Sequence, residues 1–196
     1  TYAGQLVEVT ETAASFYNER QKAAVDLTKI MAQDEIFGIT GADEIGCVTF
    51  GLYAAEAMTA ADGSVIPAGG LLETVTVGAD GKAAFATDLP VGSKAYVQEI
   101  ATGSHYILSD RKYPVIFDYA GESVALVHLA VNDGQPIENE LIYGEIHGLK
   151  KDEDGKGLGG ALIGLFCADC TEFTRENAIL TAISAEDGSF SFARVP

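Results

Sequence analysis

Residues 18–29 read NERQKAAVDLTK and residues 139–150 read NELIYGEIHGLK. Both open on Asn-Glu and close on Lys, so an amide and an amine recur eleven positions apart. The likeness extends outward. YAGQLVEV (2–9) precedes the first stretch and YAGESVAL (119–126) the second. VTFGLYAAE (48–56) follows the first, LIGLFCAD (162–169) the second, and DGKAAFATDLP (80–90) is answered by DGSFSFARVP (187–196). Similar segments in the same order indicate an array of like units. The offset from Asn18 to Asn139, 121 residues, suits one small domain with its loops. In this frame 1–22 are the closing strands of a preceding unit, 23–143 a complete unit, and 144–196 the opening part of a further, truncated unit. A counterpart of VGSKAYVQEIATGSHYILSDRKYPVIF (91–117) is then expected beyond Pro196, and the chain reads as a piece of something longer.

Helix signals are few. ETAASFYNERQKAA (11–24) contains good helix formers, but the repeat aligns it with a strand-like segment, and it is read as strand and loop. Elsewhere the apolar runs are short, β-branched or aromatic: AAVDLTKI, CVTFGLYA, LLETVTV, AYVQEI, YPVIFDY, SVALVHLAV. Asp62-Gly63, Asp80-Gly81 and Asp133-Gly134 punctuate them as turns. Many short strands without intervening helices predict an all-β fold of tandem antiparallel β-sandwich units.

Side chains alternate along a strand, so the apolar set marks the core face. Val25, Leu27 and Lys29 share a face of AAVDLTKI; Ala95, Val97 and Glu99 share one in AYVQEI; Ile137, Asn139 and Leu141 share one in PIENEL. Three polar residues are thus expected in the interior. Burial of an unpaired ammonium costs several kcal/mol or drives it neutral. The same burial keeps a carboxyl protonated. A neutral Lys29 can attack the side-chain amide of Asn139 while Glu99 polarises the carbonyl and carries protons. The product is a Lys–Asn isopeptide bond with ammonia as the leaving group. Fixed proximity supplies roughly 7–11 kcal/mol toward such a barrier. The event happens once per molecule, so the chain is not expected to be an enzyme with turnover.

These residues resemble the Cna B-type domain, the SpaA-like pilin and collagen-adhesin B-repeat of Gram-positive surface proteins. The likeness is carried by Val25-Asp-Leu-Thr-Lys29, Val48-Thr-Phe-Gly-Leu-Tyr53, Asp80-Gly-Lys-Ala-Ala-Phe85 with Leu89-Pro90-Val91-Gly92, Tyr96-Val-Gln-Glu99 and Glu138-Asn139. It covers nearly all of 23–143. The resemblance implies an Ig-like or prealbumin-like sandwich in which Lys29 and Asn139 bond with help from Glu99. It implies that Lys150 is the bond-forming lysine of the following unit and Asn18 the acceptor of the preceding one. It further implies a stalk or adhesin region on the cell wall or surface, outside the cell, with neighbouring domains of the same protein as partners. The chain departs from the pattern in an insert, QDEIFGITGADEIG (33–46), and in Gly92-Ser-Lys-Ala95 where the family has Gly-x-Tyr.

Other readings are weaker. A net charge of −17 argues against nucleic acid and anionic lipid as partners. No apolar run reaches the length of a membrane span, and no signal peptide opens the chain. Cys167 and Cys170 form one C-x-x-C with no second pair for zinc, so they read as strand-end thiols, free or disulfide-bonded, with Cys47 apart from them. His105, His128 and His147 show no metal-ligand spacing, and KKDEDGKG (150–157) reads as a solvated turn rather than a calcium loop. No cofactor and no metal is expected. The alternative function is an extracellular module binding a host protein or glycan, for which GLYAAEAMTAADGSVIPAGG (51–70) is the longest loop.

Overall fold

The computed structural model describes residues 20–196. Asn18, nearly all of the 1–22 segment and most of the 11–24 run lie outside them. Residues 20–143 hold ten strands. First come β1 (Lys22–Met31), β2 (Thr49–Ala54), the short β3 (Met58–Thr59) and β4 (Val65–Ile66), and β5 (Leu71–Thr76). Then follow β6 (Lys82–Phe85), β7 (Lys94–Ala101), β8 (Lys112–Ile116), β9 (Leu126–Ala130) and β10 (Ile137–Asn139). No α-helix is found among the described residues.

The strands form two main sheets. In one, β1 is flanked by β6 on one side and by β9 and then β10 on the other. The second runs β5-β2-β7-β8 and is antiparallel throughout. Alternation decides what lies between them. Val25, Leu27, Phe50, Leu52, Val97 and Phe117 are all buried, and Asp26 and Thr28 turn the other way. Full burial of each such apolar side chain contributes about 1.5–3 kcal/mol.

Two sequence expectations need correction. The sandwich is not wholly antiparallel, because β1 pairs parallel with both β9 and β10. Antiparallel neighbours are favoured where a tight turn joins them. Here some hundred residues of chain separate β1 from its partners, so the connection leaves direction free. Second, 51–70 is not an open loop: β3 and β4 form a hairpin across the Asp62-Gly63 turn. Gly63 takes a φ of +84°, and Asp62 Oδ1 accepts the Ser64 N–H at 2.9 Å.

Residues 144–196 repeat the opening pairings. Strands β11 (Gly144–Leu149), β12 (Leu162–Leu165), β13 (Leu180–Ile183) and β14 (Ser189–Val195) pair as β11 with β14 and β12 with β13. The registers correspond residue by residue. Val25 faces Phe85 as Ile146 faces Phe192; Gly51 faces Thr74 as Gly164 faces Thr181. Lys29 N–H donates to Gly81 O at 2.7 Å, and Lys150 N–H donates to Gly188 O at 2.7 Å. Both glycines have positive φ, and a Cβ on either would press into the backbone oxygen of the lysine it faces. The two Asp-Gly turns therefore do the same job beside the two lysines.

Candidate functional site

Lys29, Glu99 and Asn139 meet between the sheets. Lys29 and Asn139 come from neighbouring parallel strands. The register sets Lys29 opposite Ile137 and Met31 opposite Asn139, so both polar side chains fall on the inner face. Glu99 comes from the facing sheet, on β7, where it is paired with Phe50. Lys29 is 1% exposed, and Glu99 and Asn139 are each 2% exposed.

The contacts form a chain. Lys29 Nζ donates to Asn139 Oδ1 at 2.9 Å, to Ile137 O at 3.0 Å and to Ile30 O at 2.9 Å. A charged ammonium fills all three acceptors with its three hydrogens. A neutral amine has two hydrogens for the two backbone carbonyls, which leaves its lone pair on the side of the carboxamide. On the far side of that carboxamide, Asn139 Nδ2 donates to Glu99 Oε1 at 2.6 Å and to Thr102 Oγ1 at 2.7 Å. Glu99 therefore stands against the amide nitrogen. The expected contact with the carbonyl oxygen is replaced by Lys29, because the amide lies between a donor and two acceptors and turns its oxygen to the donor.

Burial pushes both titratable groups toward neutrality. The Lys29 amine falls from 10.5 to about 8, with desolvation outweighing the opposing fields of Glu99 and Glu138. Desolvation raises Glu99 above its ordinary 4.5, against the hydrogen bond from Asn139, the Lys29 charge and the Thr102 hydroxyl. Glu99 Oε2 is buried with no partner. A lone buried carboxylate oxygen is costly, so a proton there relieves the site.

The insert packs at this end of β1. Ala32 N–H donates to Asn139 O at 3.0 Å, Tyr106 Oη donates to Ala32 O at 2.9 Å, and Tyr143 Oη donates to Asp34 Oδ2 at 3.0 Å. Sequence reading missed Thr102, since plain alternation from Glu99 points it outward.

The remaining expected residues lie elsewhere. Lys150 is exposed at the end of β11, and Asn18 is outside the described residues. Cys47, Cys167 and Cys170 are free thiols; Cys170 Sγ donates to Glu172 O at 3.1 Å and the pair is not joined. His105 faces Glu44, and His147 faces Glu145 at 3.0 Å. Asp152 Oδ1 accepts the N–H groups of Asp154 and Lys156, which closes the 150–157 turn on itself. Among the described residues no group of three or more metal-ligating side chains is found, and no helix is long and apolar enough to cross a membrane.

No family model and no curated protein matches the chain. Among solved structures, the Bacillus anthracis TIE protein matches 90% of this chain at 18% identity and a TM-score of 0.58; the match spans 27% of the TIE chain. A C-terminal fragment of the pilus adhesin SpaC from Lactobacillus rhamnosus GG matches 89% of this chain and 71% of its own, at 12% identity and a TM-score of 0.46. A streptococcal ancillary pilin matches 91% and 51%, at 18% identity and a TM-score of 0.38. Of these three, the TIE match is the one with a TM-score above 0.5. At that identity it establishes architecture: the chain shares its all-β fold with part of the TIE protein.

Proposed function

We propose that this chain is a stalk or adhesin region of a bacterial cell-surface or pilus protein, built of tandem sandwich units and stapled by an autocatalytic bond between Lys29 and Asn139. One observation carries the reading: a buried amine lies 2.9 Å from a buried carboxamide oxygen, with a buried acid on the other side of the amide. In the reaction the Lys29 lone pair attacks Asn139 Cγ. The Nζ–Cγ bond forms and the Cγ–Nδ2 bond breaks. The proton lost by Nζ is matched by one delivered to Nδ2, with Glu99 as carrier, and ammonia leaves. Nothing is oxidised or reduced, and Glu99 ends as it began.

Such a bond suits a load-bearing part. It joins the first strand of the 23–143 unit to the last, so tension along the chain passes through the staple instead of through the residues between. The matching registers of 144–196 support a second unit beginning there, with Lys150 as its bond-forming lysine. In this reading the partners are adjoining domains of the same protein, and the location is the cell wall or surface outside the cell. Intact mass tests the proposal: the folded chain must weigh one ammonia less than its sequence, and Lys29→Ala, Glu99→Ala and Asn139→Ala must each restore the full mass.

A second reading, capture of a host protein or glycan, has one observation in its favour. A cavity of about 540 Å³ opens beside the β3–β4 hairpin, lined by Met58, Ile66, Leu71 and Leu72, with the Arg20–Asp88 ion pair at its side. Binding to a glycan or matrix-protein array that disappears on shortening the hairpin would favour it.

A further inference from the structure

Among the described residues Thr102 is the one hydroxyl that touches the reacting amide, and it reaches it through an irregularity in β7. On that strand Glu99 points inward and Ile100 is 39% exposed, so uninterrupted alternation would turn position 102 outward. The register shifts here: Phe50 is opposite Glu99, but Thr49 is opposite Ala101, which leaves Ile100 as an extra residue. A bulge of this kind reverses the parity of everything beyond it and re-aims side chains. Position 102 then shares the inner face with Glu99. The chain turns immediately afterwards at Gly103, where a Cβ would lie 2.6 Å from Glu44 Cβ. Only a residue without a side chain allows so close an approach.

The consequence is specific to the nitrogen that must leave. Both hydrogens of Asn139 Nδ2 are taken, one by Glu99 Oε1 at 2.6 Å and one by Thr102 Oγ1 at 2.7 Å. Once Lys29 is neutral, with its two hydrogens on Ile30 O and Ile137 O, loss of the hydroxyl would leave Glu99 alone to hold the amide, and rotation about Cβ–Cγ would exchange nitrogen and oxygen. The nitrogen would then face Lys29 and the acid would face the oxygen.

We propose that Thr102 is a catalytic residue of the cross-linking reaction, which holds Asn139 Nδ2 beside Glu99 so that the acid's proton reaches the departing nitrogen. During the step the Thr102 oxygen keeps one N–H as acceptor while Glu99 delivers its proton to the same nitrogen. Ammonia leaves from this side, and the hydroxyl itself is unchanged. The inference depends on the Lys29–Asn139 reaction proposed above and extends it to a residue outside the lysine, acid and amide.

The test uses the full chain recovered unfolded from inclusion bodies. Dilution into buffer starts the clock, and intact mass follows the loss of ammonia. Thr102→Val removes the hydroxyl at nearly constant volume and is expected to slow the loss about tenfold or more, the effect of one hydrogen bond in a buried polar site. Thr102→Ser restores the hydroxyl and is expected to restore most of the rate, which a purely packing role would not do. Should Thr102→Val fail to refold, Thr102→Ala makes the same comparison, since the position is partly exposed. A Thr102→Val rate equal to wild type, or a Thr102→Ser rate as slow as Thr102→Val, overturns the assignment and leaves the cross-link intact. A wild-type chain that folds and never loses ammonia removes both.

Discussion

Glu99→Gln gives the sharpest test of the proposed Lys29–Asn139 bond. Glutamine keeps the volume of glutamate and retains an oxygen to accept the Asn139 N–H, but it cannot carry a proton to the leaving nitrogen. The variant should fold with Lys29 and Asn139 in place and unbonded. The missing bond would have closed a loop from residue 29 to residue 139. By the chain-entropy treatment of cross-links, a loop near this length is worth about 4.7 kcal/mol at 25 °C. A unit of this size unfolds with an entropy of about 2.1 cal/mol/K per residue, so each kcal/mol moves the midpoint by roughly 4 °C. The two together predict a melting midpoint about 20 °C lower in Glu99→Gln than in wild type. Intact mass and a circular-dichroism melt on the same sample check it. If Glu99→Gln, like wild type, weighs one ammonia less than its own sequence, the acid is not the proton carrier. If only wild type falls short of its own sequence mass but the midpoints agree within a few degrees, the loop-closure argument is wrong.

Three further outcomes follow from the same geometry. The rate of ammonia loss should be level between the raised Glu99 pKa and about 8 and should fall on either side, because the reactive pair holds one proton in total; refolding across a pH series measures this. The unbonded variants should respond to pH with opposite slopes. In Lys29→Met the raised Glu99 binds its proton more tightly when folded, so stability is full below 4.5 and declines as pH rises through the folded pKa. In Glu99→Gln the Lys29 amine also loses the Glu99 field that raises it and binds its proton less tightly when folded, so stability increases with pH from below about 8 up to 10.5; urea midpoints that stay flat in both would show the groups are not buried. Gly81→Ala puts a Cβ 2.6 Å from the Lys29 backbone oxygen at a φ of +76°, and should cost more than 1 kcal/mol in an unbonded background while slowing cross-linking, read by denaturant titration and timed mass.

Much of this site can be read from the order of residues alone. In AAVDLTKI, AYVQEI and PIENEL the alternation of apolar and polar residues settles which side chains face inward, because a strand has a period of two whatever it pairs with. Lys29, Glu99 and Asn139 are therefore legible as interior residues, and all three are buried. The repeat is legible too, since like segments recur in like order, and the matched registers of β1–β6 and β11–β14 follow from it. Only the tertiary structure decided the rest. The parallel pairing of β1 with β10 joins residues more than a hundred positions apart, where no turn signal fixes direction. The side of the amide that Glu99 meets depends on how the facing sheet is placed, which no single strand encodes. Thr102 depends on one extra residue in one strand, whose effect is felt only against a partner. Periodicity is a local property of the chain; register and approach are properties of two strands meeting.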